Sequence, residues 1–148
     1  MENRDKAYYT PSIEEFHVGF EYELESMLID TDVVEYSTHI CSIKNKLEDL
    51  ESMCKYHTVR VKYLDKEDIE SLGFICCKTD KRVFRNKDGI IINTGWGSPI
   101  KNGITLAIVH PVFDESKMNI IHENYIFNGT IKNKSELKVL MNQIGINE

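Results

Sequence analysis

Between Glu15 and Glu25 the chain alternates with a period of two. Phe16, Val18, Phe20, Tyr22 and Leu24 fall on one side, and Glu15, His17, Gly19, Glu21, Glu23 and Glu25 on the other. Successive side chains of a β-strand point to opposite faces. The pattern therefore predicts a strand with one buried and one wet face, the usual condition of an antiparallel sheet.

The rest of the chain supplies matching pieces. Residues 58–64 alternate again, with Val59, Val61 and Tyr63 against Arg60 and Lys62. Asp65 caps a short helix holding Ile69 and Leu72, and Gly73 stops it. Ser37 or Thr38 is placed to cap an amphipathic helix of about four turns. Its apolar stripe is Ile40, Ile43, Leu47, Leu50 and Cys54. Residues 26–36 read either as a hairpin around Asp30-Thr31-Asp32 or as a loop.

Phe74 to Asn86 and Gly89 to Thr94 read as two strands joined at Asp88-Gly89. Gly95-Trp96-Gly97-Ser98-Pro99 is a loop. Ile104 to His110 is an apolar strand that Pro111 should end, and Met118 to Phe127 another that should close at Asn128-Gly129. Asn133 and Glu136 make an N-x-x-E cap before the stripe Leu137, Leu140, Met141 and Ile144, and Gly145 ends that helix. The expected fold is α+β: a mainly antiparallel, twisted sheet packed on one face by the 38–55 and 134–144 helices.

The length is 148 residues, and 41% of them are hydrophobic. A chain of this size hides roughly 70% of its unfolded surface. That is enough for one domain over residues 1–148 without disulfides or metals. No repeat, low-complexity tract or linker divides it. Cys41, Cys54, Cys76 and Cys77 include no C-x-x-C spacing. On one helix Cys41 and Cys54 would stand about 20 Å apart, and adjacent strand residues point apart. All four read as reduced packing residues.

The formal net charge is −6 and the pI about 5.4. An acidic surface repels a phosphate backbone, which disfavours nucleic-acid binding in general. No apolar run approaches the roughly 20 residues that span a bilayer, and Met1 to Ser12 carries no signal-peptide core. Neither a membrane nor a cofactor is expected.

No motif fixes an activity. Nucleophile elbow, P-loop and H-E-x-x-H patterns do not occur. Glu21, Glu23 and Glu25, with His17 beside them, suggest a divalent-cation site and a metal-dependent hydrolase. The plainer reading is a solvated face paired with Arg60 and Lys62 on a neighbouring strand. His110 and Asp114 flank Pro111 at a spacing compatible with a dyad.

Lys78, Lys81, Arg82, Arg85 and Lys87, with Phe84 among them, outweigh Asp80 and Asp88 in the 78–88 hairpin. That excess suggests a finger for nucleic acid, a nucleotide or an acidic protein. The alternative is an ordinary charged hairpin. Trp96, the single tryptophan, is flanked by glycines. It is either an aromatic anchor for a partner or a lid on the core. The partner-binding candidates are thus Trp96, Lys81, Arg82 and Arg85.

Three blocks carry a resemblance. They are residues 9–23 (YTPSIEEFHVGFEYE), 59–74 (VRVKYLDKEDIESLGF) and 127–146 (FNGTIKNKSELKVLMNQIGI). Together they cover about a third of the chain, and the chain resembles a family of short uncharacterised proteins from phages and prophages of Bacteroides-type gut bacteria. The resemblance implies a small phage-type protein acting in the host cytoplasm or packaged in a virion, and lends no catalytic residue. On this reading the chain is a non-enzymatic accessory protein with a protein partner, a host factor or a virion component. The alternatives are a nucleic-acid or nucleotide binder using the basic hairpin, and the metal-dependent hydrolase.

Overall fold

The structure, a computed structural model, describes residues 7–27, 33–95, 104–114 and 119–146. The chain is α+β and its sheets are antiparallel, as expected, but it divides into two compact units, Met1–Tyr63 and Leu64–Glu148. Each has its own sheet, helix packing and core. The expected single sheet is therefore two. Alternation tells a strand which face to bury, but not which strand lies beside it.

The first unit holds a four-stranded sheet in the order β1-β4-β2-β3. Its strands are β1 (Tyr8–Tyr9), β2 (Glu21–Met27), β3 (Val34–Ile40) and β4 (Val59–Lys62). Helix α1 (Leu47–Lys55) contributes Leu50 to a core of Phe20, Tyr22, Cys41, Val59 and Val61. The β2 and β3 pairing settles residues 26–36 as two strand ends, Met27 opposite Val34, around a connection that lies outside the described residues.

The alternating segment is strand only from Glu21 on. Ile13–Glu15 forms a 3₁₀ turn instead. Glu15 accepts from the Ser12 N–H at 3.1 Å and from the Tyr9 hydroxyl at 2.7 Å, which holds the turn shut. Gly19 then turns the chain at φ +90°. Phe20 and Tyr22 are buried with Val59 and Val61 and Phe16 packs against them, but Val18 is 65% exposed.

The helix expected over 38–55 loses its first part to the sheet. Ser37 to Ile40 belong to β3, and Asn45 Oδ1 accepts from the Ser42 N–H at 2.7 Å to make a turn before α1. Ile40, Ile43 and Leu47 are exposed rather than buried. Cys41 lies between β3 and α1, so it does not share a helix with Cys54.

The second unit begins with the short capped helix as predicted. In α2 (Lys66–Ser71) Asp65 Oδ1 accepts from the Asp68 N–H at 2.9 Å, and Asp68 Oδ2 from the Asp65 N–H at 3.2 Å. Gly73 stops it at φ +86°. A five-stranded meander follows in chain order: β5 (Ile75–Cys76), β6 (Val83–Arg85), β7 (Ile91–Thr94), β8 (Ile104–Asp114) and β9 (Asn119–Ile131). Phe74 to Asn86 is thus two short strands around a turn, not one long strand.

Helix α3 (Lys134–Gln143) starts where predicted, with Asn133 Oδ1 accepting from the Glu136 N–H at 2.9 Å. Leu137 and Met141 are buried in the core of this unit, and Leu140 and Ile144 pack against its margin.

Two turn signals are overridden. Pro111 does not end β8 but sits inside the ladder opposite Glu123. Pairing of β8 with β7 stops at Val109. Beyond that point β8 has one neighbour among the described residues, and an edge tolerates a residue without an N–H. Asn128 and Gly129 likewise continue β9, opposite Ala107 and Leu106. The Phe127 ring lies over Gly129 so closely that a Cβ there would come within 2.8 Å of its Cζ.

Candidate functional site

The basic segment covers the turn between β5 and β6, β6 itself and the start of the turn after it. Arg82 grips Asp80 from two sides, its Nε at 2.8 Å from Oδ1 and its Nη2 at 2.6 Å from Oδ2. The Arg82 guanidinium, helped by the Arg82 N–H, holds the Asp80 carboxyl at about 2 against an ordinary 3.8. Asp80 therefore stays ionised at neutral and mildly acidic pH, and Arg82 is committed to it. Lys78, Lys81, Arg85 and Lys87 are exposed. Phe84 is not among them: strand alternation turns it into the core, where it is 2% exposed. Arg85 stands opposite Ile75, which is 76% exposed.

Trp96 lies outside the described residues. The strands on either side of its segment are joined where the Gly95 N–H donates to the Thr105 carbonyl at 2.9 Å.

The acidic row is on the outer face of the first sheet. Glu23 stands opposite Arg60, whose Nε donates to Oε2 at 2.7 Å, and the Tyr8 hydroxyl donates to Oε1 at 3.4 Å. The Arg60 guanidinium lies between two rings, 3.9 Å from the Tyr8 centroid and 3.4 Å from that of Tyr36. This is the cross-strand pairing that the alternation at 58–64 suggested. His17 lies in the turn before β2 and is 3.0 Å from the Val18 carbonyl. Among the described residues no three His, Cys, Asp or Glu side chains converge as ligands for one ion. His110 sits on β8 opposite Asn124.

The four cysteines are free thiols. Burial pushes the Cys41 thiol up, and burial with the Glu15 and Glu14 carboxylates does the same to Cys54. Both stay protonated at neutral pH, which suits packing rather than nucleophilic attack.

A site that the residue patterns did not single out lies on β9. Ile108 is opposite Phe127 but Val109 is opposite Tyr125, so Ile126 is an extra residue with no partner on β8. A second shift, between Val112 and Phe113, leaves Ile121 extra in the same way. Bulges of this kind bend an edge strand and re-aim its side chains. At the first of them Tyr125 is 65% exposed and Ile126 39%. The signal was present as Tyr125-Ile126-Phe127, three apolar residues in a row where a strand should alternate.

A second edge strand, in the first unit, is β3. It pairs only with β2 among the described strands, its register runs unshifted from Glu21–Ile40 to Met27–Val34, and all seven of its residues are exposed.

No family model matches the chain, no curated protein matches it, and no solved structure matches it. Among the described residues, no helix is long and apolar enough to cross a membrane.

Proposed function

We infer that the chain is a small, non-enzymatic, phage-type accessory protein that binds another macromolecule. The partner is a host factor or a virion protein, met in the bacterial cytoplasm or in the particle. The three resembling sequence blocks support the setting. The observation that supports binding is the adjacent exposed pair Tyr125 and Ile126 at a bulge of an edge strand. A tyrosine offers a large contact area at low entropy cost, and exposed apolar groups of this size recur as interface anchors.

Changing Tyr125 and Ile126 together to Ala is expected to leave unfolding within about 1 kcal/mol of wild type. The same change should weaken the partner complex by about 2 kcal/mol or more. Co-purification with quantitative mass spectrometry, then titration of the partner found, reads both. Equal recovery of every partner by wild type and variant would remove this surface from the proposal.

A second reading rests on four exposed cations, Lys78 and Lys81 in the turn between β5 and β6, Arg85 on β6 and Lys87 in the turn after it. If they meet nucleic-acid phosphates, changing Lys81 and Arg85 to Gln should reduce the slope of log affinity against log salt by about 2 on a duplex oligonucleotide. A slope that does not change would set this reading aside.

A further inference from the structure

We propose that β3 is the seam of a homodimer, in which two copies pair their β3 strands antiparallel about a two-fold axis through Ser37. This goes beyond the partner surface on β9 and does not depend on it. The starting point is that β3 has few of the usual defences of an edge among the described residues. It contains no proline, lysine or bulge, and Glu35 is its single carboxylate or full cation. The backbone groups of its outer edge, unpaired among the described strands, form a template for another strand, whereas the bulges of β9 break such a template.

The sequence of β3 says which strand fits. Folding VEYSTHI back on itself about Ser37 sets Val34 opposite Ile40, Glu35 opposite His39 and Tyr36 opposite Thr38. Each pairing occurs twice across the axis. Apolar thus meets apolar at both ends, and an acid meets a base just inside them. Directly opposite residues of an antiparallel pair share a face. The two-fold therefore continues both faces of the sheet without a mismatch. Moving the axis to Tyr36 sets Glu35 against Ser37, and moving it to Thr38 sets Glu35 against Cys41. Of these three axes, the one at Ser37 sets the Glu35 carboxylate against the His39 imidazole. His39 is already ordered for this, with Nε2 2.9 Å from the Ser37 hydroxyl and its ring stacked on Tyr22 at 5.6 Å. Tyr36 is held against Arg60. The joined sheet would have eight strands, in the order β1-β4-β2-β3-β3-β2-β4-β1.

The test is the mass of the full chain in solution, by sedimentation equilibrium from about 1 to 100 µM. The expected species is a dimer of the 17.2 kDa chain. His39→Glu places two carboxylates opposite Glu35 residues and should weaken the dimer by roughly 100-fold, since like charges facing across an interface cost several kcal/mol. The exchanged variant, Glu35→His with His39→Glu, restores the carboxylate–imidazole pairing in reversed positions and should recover dimerisation to within about 10-fold. That recovery also separates a broken seam from a misfolded subunit. A wild-type monomer at 100 µM overturns the proposal. So does a dimer that ignores His39→Glu, or an exchanged variant that stays monomeric while its circular dichroism matches wild type.

Discussion

Phe20→Ala is expected to destabilise the first unit by about 3–5 kcal/mol. The side chain is 1% exposed and shares its cluster with Tyr22, Cys41, Leu50, Val59 and Val61. Its ring meets Phe16 at 5.0 Å and His17 at 5.5 Å. Its carbonyl accepts from the Cys41 N–H at 2.8 Å, which ties the start of β2 to the end of β3. Removing the ring empties a volume that several elements line at once, and a cavity of that kind collapses only in part. Hydrogen exchange resolved by peptide is the suitable measurement. Amides of β2 and β4 should lose protection by three orders of magnitude or about that. Unchanged protection there would mean that Phe20 does not hold this core.

The second large effect belongs to Leu137, which is fully buried. Leu137→Ala should cost the second unit about 2–5 kcal/mol. Helix α3 is ten residues long, and a helix of that length is marginal in water by itself. Its helicity therefore depends on the contact that Leu137 and Met141 make with the cluster of Phe74, Phe84, Ile92, Leu106 and Ile108. Val139, at 36% exposure on the same helix, is the internal control, and Val139→Ala should stay within about 0.5 kcal/mol. Denaturant unfolding of the two variants side by side checks the contrast. Equal midpoints would show that α3 does not close the core.

What the residues reveal unaided is what short-range forces decide. Asp65 with Asp68 and Asn133 with Glu136 announce their helices because a capping bond closes within four residues. The alternation at Val59 to Lys62 reads correctly because both of its faces are used as the pattern says. The misread segments are those settled by distant partners. Ile40, Ile43 and Leu47 have helical spacing, but pairing with β2 claims Ser37 to Ile40 for a strand. Phe16 and Phe20 have strand spacing, yet they reach the same cluster from a turn. Pro111 and Gly129 carry local stop signals that an open edge and an aromatic ring make harmless. Glu23 of the acidic row meets Arg60 because both alternate onto the same face of two strands that pair, whereas Lys62 stands opposite Tyr8 on β1. The bulge at Ile126 needed the register of β8, which no single strand encodes.

The packing of Phe127 over Gly129 has a bearing on how this chain can diverge. Any side chain at 129 displaces the ring, and the ring is part of the margin of the core. A side chain at 129 is therefore best accommodated together with a smaller residue at 127. Among diverged descendants of this chain the two positions should vary in concert or not at all, although they are two residues apart on a strand whose other edge pairs with no described strand.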